Sequence, residues 1–391
     1  MPADRPKSTL PILFSIVIVD LIGFGIVLPI LPFYADAYGA SATVLGLLLT
    51  CYAAMQFVFA PIWGRLSDRV GRRPVMLVTI AGTGAALLLL GLADSLIWLF
   101  IARILGGIFG ANISVATAYL SDVTEEGERT RWMGMIGASF GVGFLLGPAI
   151  GGLLSPYGYG VPMLAAAGMA TVNFVYACFV LKEPARHLPR ESDVPRPREV
   201  LADPAVRRLC TINFIFTFAV CQLETTFAYL MKDRFSYDAM QVAFILVFMA
   251  FITMSIQGGA IRGLARRFGE KTLLVAGVAF MSSAFFAIPW MYRVTLLLLP
   301  LGLSAVGRAI SQPSLMSMVS LRATSVTRGA VMGGFQSASA LARVFGPLAA
   351  GALYDYQMGA PYLLAGLLMA VAFIASSVLP ASETSAKAVP V

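Results

Sequence analysis

The stretch that decides the fold is Gly64-Arg65-Leu66-Ser67-Asp68-Arg69-Val70-Gly71-Arg72-Arg73-Pro74. It carries five charged side chains and lies between two long apolar runs, 44–63 and 75–92. Charged side chains are excluded from hydrocarbon, so we expect a tight turn in water between two membrane-embedded helices. Gly64 and Gly71 allow the backbone to turn sharply, and Pro74 suits the first turn of the next helix.

Composition places the chain in lipid. Its 391 residues are 58% hydrophobic and 12% charged, with a mean hydropathy of +0.82, whereas soluble domains carry about 25% charged residues. The net charge of +8 is therefore interpreted by its position along the chain, and no nucleic-acid partner is expected. The four cysteines, Cys51, Cys178, Cys210 and Cys221, lack paired spacing. They are interpreted as small buried hydrophobes, and neither a metal site nor a cofactor is expected.

Hydropathy predicts an all-α membrane protein with twelve transmembrane helices of about 20 residues each. A polar segment rich in Pro and Arg near the midpoint predicts a cytoplasmic linker, 182–206, between two six-helix bundles, 1–181 and 207–391. The predicted spans lie near 10–34, 43–63, 74–93, 96–120, 131–154, 160–181, 207–230, 240–261, 272–291, 294–320, 328–353 and 360–379.

The positions of the basic residues predict the orientation. With the N-terminus inside, 22 of the 28 Lys and Arg residues fall in cytoplasmic segments. External loops hold Lys232, Arg234 and Arg293, and the remaining three arginines lie within spans. Both termini are therefore expected in the cytoplasm.

The two halves repeat each other. Gly147-Pro148-Ala149-Ile150-Gly151-Gly152 in span 5 recurs as Gly346-Pro347-Leu348-Ala349-Ala350-Gly351 in span 11, 199 residues later. The charged turn recurs in degraded form at 262–271. Parallel repeats of six helices predict a substrate held between the halves near the membrane midplane.

Five ionisable side chains lie inside the predicted spans: Asp20, Arg103, Glu224, Arg308 and Arg343. Each would cost several kcal/mol if it faced lipid, so we expect each to face a cavity or an ionic partner. Asp20 and Arg103 fall near mid-depth in the same bundle, about 15 and 25 Å above the cytoplasmic ends of their spans. We expect them to interact directly or through water, and Asp20 to bind the transported proton.

Several motifs resemble those of a known transporter family. The opening stretch resembles the signature loop between helices 2 and 3 of the major facilitator superfamily. The run from Asp20 to Pro32 resembles the span-1 motif of its twelve-helix drug:proton antiporter family, and Arg103-Ile-Leu-Gly106-Gly107 resembles that family's span-4 motif. The resemblance covers nearly the whole chain and is closest to tetracycline efflux proteins.

The resemblance implies the major facilitator fold and efflux of an organic substrate in exchange for protons. It implies that Asp20 and Arg103 take part in coupling, and that Asp68 and Arg72 control a conformational switch. The residues of this switch loop are Gly64, Asp68, Arg69, Gly71, Arg72 and Arg73. Span 5 resembles the motif associated with antiporters, in particular at Gly143, Gly147, Pro148, Gly151 and Gly152. We interpret these small residues as a close-packed hinge between the halves.

The second half departs from the tetracycline pumps. By alignment, their span-8 histidine is replaced by Thr253 and their span-9 aspartate by Met281, which argues against a metal–tetracycline substrate. Glu224 offers a different acid. Two hypotheses remain open: it binds a cationic group or carries a second proton, or it forms a structural pair with Arg308 or Arg343.

Polar side chains within the spans are candidates for the substrate cavity, although bonding between helices is an alternative use for each. The candidates are Tyr34, Gln56, Asn112, Asn213, Gln222, Glu224, Arg308, Gln312 and Gln336.

The sequence thus predicts a monomeric exporter of amphiphilic organic compounds in the bacterial inner membrane, working by proton antiport. The alternative within transport is a proton-coupled carrier of one specific metabolite, lipid or siderophore. An intramembrane sensor or enzyme is a remote alternative, because the chain lacks a nucleophile–base cluster, metal-ligand spacing and a nucleotide-binding loop.

Overall fold

The structure is a computed structural model that describes residues 10–124, 126–184, 203–323 and 327–379. These residues form helices throughout, connected by short turns. In chain order the helices are α1 (Leu10–Ala37), α2 (Ala42–Val70), α3 (Arg72–Gly91), α4 (Leu96–Phe109), α5 (Asn112–Val123), α6 (Glu126–Leu154), α7 (Gly160–Val180), α8 (Pro204–Phe235), α9 (Ala239–Ser255), α10 (Ile261–Phe268), α11 (Glu270–Ala287), α12 (Val294–Arg322), α13 (Arg328–Tyr356) and α14 (Ala360–Ser377).

Eleven helical segments in the described chain are long and apolar enough to cross a membrane. They correspond to predicted spans 1–10 and 12, with α4 and α5 together forming span 4 and α9 and α10 together forming span 8. Helix α13 occupies the eleventh predicted span and has 29 residues, but it falls below the apolarity of the others. The protein is therefore a multi-pass membrane protein.

The charged turn is narrower than predicted. Helix α2 continues through the arginines to Val70, so Gly64 lies inside the helix and makes no turn. The whole change of direction falls on Gly71, whose φ is +120°. The expectation for Gly64 was wrong because the arginine and leucine side chains that follow it favour helix. Pro74 lies in the first turn of α3, as predicted.

Span 4 is broken, which the sequence analysis did not anticipate. Helix α4 ends at Phe109, Gly110 and Ala111 form a turn, and α5 begins at Asn112. Span 8 is also irregular, with a π-helical segment, Ile256–Ala260, between α9 and α10. Breaks of this kind free backbone groups that need other partners.

The chain packs into two compact units. The first comprises residues 1–189 with 231–247, and the second comprises 190–230 with 248–391. In the first unit α1 packs against α6 and α7, α2 against α4, and α3 against α4 and α7. In the second unit α11 packs against α12 and α14. The predicted linker 182–206 and both termini lie largely outside the described residues, so the bundle boundaries stay predictions.

The internal repeat is visible in the backbone. Gly269 begins α11 with a φ of +77°, just as Gly71 begins α3 with a positive φ. Pro148 lies inside α6 and Pro347 inside α13. Left-handed φ values favour glycine, so the repeated turns depend on these two residues.

Candidate functional site

Asp20 forms a polar pair in the first unit. It lies in α1, where the side-chain amide of Asn112 donates a hydrogen bond to its Oδ2 atom. Its other carboxyl oxygen, Oδ1, is buried without a hydrogen-bond partner. In the described chain no Lys or Arg lies within 4 Å of this carboxyl group. Asp20 is thus an acid inside a membrane helix, held by a neutral donor.

Asn112 is the first residue after the break in span 4, and helix α2 stabilises the other side of that break. The Gln56 side chain donates to the Gly110 carbonyl at 2.9 Å, and the Trp63 indole donates to the Ile108 carbonyl at 2.6 Å. Carbonyl groups at the end of α4 are therefore satisfied by side chains. The break in span 4 and the hydrogen bond between Asn112 and Asp20 therefore lie next to each other in one site.

Arg103 is bound to α2 instead of to Asp20. Its side chain is buried, and its guanidinium carbon lies 4.1 Å from the centroid of the Tyr52 ring. The Tyr52 ring also packs against Phe24, one turn beyond Asp20, with ring centroids 5.7 Å apart. The direct form of the expected interaction between Asp20 and Arg103 is therefore not formed, and the water-mediated form stays a prediction. Asp20 is bound by Asn112, and Arg103 packs on Tyr52. Tyr52 contacts both Arg103 and Phe24, which lies one turn after Asp20.

The switch loop is an ionic network centred on Arg72. Its guanidinium binds Asp68 at 2.7 Å, Asp122 at 2.8 Å and the Ser67 hydroxyl at 2.6 Å. Asp122 is contributed by α5, the second half of the broken span. The network therefore links the turn after α2 to the helix that carries Asn112. Gly64 and Arg69 lie on α2, where the Gly64 carbonyl accepts a hydrogen bond from the Ser67 hydroxyl at 2.7 Å.

Glu183 is a site residue that the sequence analysis missed. Its carboxylate accepts hydrogen bonds from the backbone N–H groups of Arg72 at 2.6 Å and Arg73 at 2.9 Å. A carboxylate at a helix N-terminus satisfies free donors and complements the helix dipole. The Arg73 side chain in turn donates to the carbonyls of Leu181 and Cys178, both at 2.7 Å. The end of α7 is thus clamped to the start of α3.

The span-5 glycines pack α6 against α1. A Cβ atom added at Gly147 would lie 2.6 Å from Gly25 Cα, and one at Gly151 would lie 3.1 Å from the Ile26 carbonyl oxygen. Gly143 meets Leu21 in the same way. The expected hinge between the halves is therefore wrong for these three glycines, because their partner is α1 of the same half.

Two further residues complete that motif. Gly152 faces Ala243 of α9, and Pro148 lies within the helix between the close-packed glycines. Small residues permit this close approach of helix backbones in lipid.

Glu224 is paired in the second unit. Arg308 Nη1 of α12 donates to Glu224 Oε1 of α8 at 2.7 Å. This contact is the pairing with Arg308 that one of the two hypotheses named, and the functional role of Glu224 stays a prediction. The Glu224 side chain keeps 23% of its surface exposed and the Arg308 side chain keeps 28%, so both remain accessible.

Most other cavity candidates bond neighbouring backbone. The Tyr34 hydroxyl donates to the Ala93 carbonyl at 2.6 Å, Asn213 donates to the Phe335 carbonyl at 2.9 Å, and Gln222 donates to the Gly346 carbonyl at 3.3 Å. Gln312 and Gln336 are exposed. Bonding between helices is therefore the observed use of the buried amides, and their role in lining a cavity stays a prediction.

Comparison with known proteins agrees with these features. The sequence profile of the Major Facilitator Superfamily matches residues 13–291 and 262–390. The class D tetracycline resistance protein of Salmonella ordonez is 31% identical over 390 residues, covering 94% of this chain and 97% of that protein. Multidrug resistance protein 2 of Bacillus subtilis (strain 168) is 27% identical over 383 residues and covers 94% of both chains.

Among solved structures, the human organic anion transporter MFSD10 (TETRAN) superposes with a TM-score of 0.71 and 26% identity. The alignment covers 96% of this chain and 100% of that one. The family profile spans nearly all of the sequence, and these relatives match it almost end to end. The chain therefore belongs to the Major Facilitator Superfamily.

Proposed function

We propose that this protein is a proton-coupled exporter of amphiphilic organic compounds, working by alternating access with Asp20 as the proton-binding group. Tetracycline and multidrug resistance proteins are its relatives over nearly the full chain. We further propose twelve transmembrane helices in two six-helix bundles, with both termini in the cytoplasm.

The observation that carries the proposal is the environment of Asp20. A carboxyl group inside a membrane helix is costly and marks a functional site by default. Here it has a neutral amide donor and one unpartnered buried oxygen, and the described chain supplies no cation within ion-pair distance. A permanently charged structural acid would need a cationic partner. The described residues provide none for Asp20, so it is suited to gain and lose a proton.

The contacts of Asn112 suggest how protonation is transmitted. Asn112 begins α5, and α5 carries Asp122, a ligand of Arg72 in the switch network. Protonation of Asp20 weakens the hydrogen bond that its charged form accepts. We propose that α5 passes this change to Arg72 and the turn at Gly71, while Arg103 and Tyr52 hold α4 in place.

The test is the Asp20→Asn variant in proteoliposomes. It fixes the neutral form, so we expect it to bind substrate and to lose accumulation driven by a proton gradient. In wild-type protein, binding of substrate in detergent should release protons by linkage, and this release should be absent from the variant. Asp94→Asn, an exposed acid of the same unit, is the matched control. Accumulation against a gradient by Asp20→Asn would place the coupling site elsewhere.

A further inference from the structure

Three ionisable side chains lie on neighbouring helices of the second unit: Glu224 on α8, Arg308 on α12 and Arg343 on α13. Arg308 binds Glu224 directly at 2.7 Å. In the described residues Arg343 makes no ion pair within 4 Å. Two of the three groups are cations and one is an anion, so this cluster carries an excess positive charge.

Arg343 lies on the face of α13 that packs against α8. Ser339, one turn before it, binds the Asn213 amide at 2.6 Å. Gly346, three residues after it, packs so closely on Cys221 that an added Cβ atom would lie 2.7 Å from the Cys221 Cβ. Residues spaced by four and three positions share one face of a helix. The Arg343 side chain is therefore directed toward α8.

Glu224 lies on the complementary face of α8. Asn213 and Cys221 contact α13. Glu224 follows Cys221 by three residues, so it lies on the same face of α8. The two helices run parallel, because contacts near the start of α8 involve earlier residues of α13 than contacts further along. Gln222 of α8 lies level with Gly346 of α13, so Glu224 lies level with Leu348. Arg343 precedes Leu348 by five residues, which is roughly 7 Å along the axis of α13.

Helix α8 also carries buried polar atoms without partners close to Glu224 in sequence. Gln222 is 0% exposed and Thr225 is 1% exposed, yet Gln222 Oε1 and Thr225 Oγ1 have no hydrogen-bond partner. Buried polar atoms in native proteins are nearly always satisfied, so unsatisfied ones require an explanation. Arg308 and Glu224 are partly accessible and Arg343 is half-buried. A ligand with polar groups can therefore approach this region.

We propose that Arg343, assisted by Arg308, binds the acidic group of an anionic amphiphile, such as a carboxylate, sulfonate or phosphate. The planar guanidinium group matches such oxyanions with paired hydrogen bonds. Glu224 then orients Arg308 and does not receive a cationic substrate. This inference rests on the proposed export function and names its substrate class.

The first test compares three naphthalene probes that bear a sulfonate, a neutral sulfonamide or a trimethylammonium group. Binding to the full-length protein is measured by equilibrium dialysis in detergent, without a proton gradient. We expect the sulfonate to bind at least tenfold more tightly than the other two. Equal affinity for all three probes, tighter binding of the ammonium probe, or no binding of the sulfonate would overturn the proposal.

The second test uses substitutions at Arg343. Loss of one charge-assisted contact should weaken sulfonate binding about 10- to 100-fold in Arg343→Gln, with little change for the sulfonamide. Arg343→Lys should retain part of the sulfonate affinity, because lysine keeps the positive charge but lacks the paired N–H donors of the guanidinium group. Arg322→Gln, an exposed arginine at the end of α12, is the matched control. An unchanged sulfonate affinity in Arg343→Gln would contradict the assignment.

Glu224→Gln separates the two interpretations of Glu224. Removal of the acid leaves both arginines uncompensated, so sulfonate binding should be maintained or strengthened. Selective loss of the ammonium probe would instead support a cation site at Glu224 and overturn the anion proposal. Because these measurements use no gradient, they can fail while Asp20-dependent export is observed, and export can fail while sulfonate binding is observed.

Discussion

Glu183 shows how one carboxylate fixes the charged turn. It accepts hydrogen bonds from two backbone N–H groups at the start of α3. A Cβ atom at Gly71 would lie 2.9 Å from the same carboxylate. Gly71 is therefore required twice, for its positive φ and for the space that Glu183 occupies.

Glu183→Ala should destabilise the turn. Loss of a helix N-terminal cap costs about 0.5–2 kcal/mol, so we expect a lower thermal unfolding temperature in detergent and weaker transport. The unfolding temperature of Glu183→Gln should lie between those of Glu183→Ala and the wild type, since an amide oxygen still accepts hydrogen bonds. Lys182→Ala changes the neighbouring exposed side chain and serves as the control. An unfolding temperature equal to that of the wild type in Glu183→Ala would show that water replaces the carboxylate at no cost.

For single residues, the ionisable side chains inside the spans could be predicted from the sequence, but the residues that contact them could not. The five ionisable residues inside the spans were found because a charge in an apolar run is unmistakable. Their contacts are set by tertiary packing, so Asn112, 92 positions from Asp20, was assigned to a cavity instead of to the acid. Glu183 was missed because it lies at the start of a segment interpreted as linker.

At the scale of elements, the α1–α6 contact depends on glycine at three positions four residues apart. An added Cβ atom would lie 2.4 Å from α1 at Gly143, 2.6 Å at Gly147 and 3.1 Å at Gly151, so the first two positions leave no space for a methyl group and the third is tight. An additional methyl group would force two helix backbones apart over several turns.

Gly147→Ala should therefore lower stability by about 1–3 kcal/mol and reduce transport. Gly137 lies on the same helix, and a Cβ atom added there meets nothing within 4 Å. Gly137→Ala should be neutral or slightly stabilising, because alanine favours helix more than glycine does. The comparison is made by thermal unfolding of the two purified variants. Equal unfolding temperatures would contradict the role assigned to the α1–α6 contact.

Helix positions followed from hydropathy, but helix irregularities did not. The periodicity of apolar residues cannot locate the break at Gly110–Ala111, since both flanking segments are apolar. The sequence signal was Gly110 two residues before Asn112, a polar residue at mid-span, and only the contacts of Gln56 and Trp63 show that it marks a turn.

At the scale of the molecule, the proposed topology makes a direct prediction. Single cysteines introduced into the linker 182–206, on a background with the four native cysteines replaced, should react with an impermeant thiol reagent only from the cytoplasmic side. Cysteines at 233–238 should react only from outside. The basis is the distribution of basic residues, which orients membrane proteins. Reversed labelling would overturn the orientation, whereas the contacts of Asp20 and Glu224 would be unaffected.

Helix α13 has a consequence for biosynthesis. It contains Gln336 and Arg343 and is the member of the predicted twelve that does not reach the apolarity of a membrane span in the described chain. An arginine near the centre of a helix raises the free energy of membrane insertion by about 2.5–3.5 kcal/mol. Insertion of α13 on its own into the bilayer is therefore unfavourable. We therefore expect the insertion of α13 to depend on α8 being present in the membrane first, because Asn213 of α8 binds Ser339 and the Phe335 carbonyl.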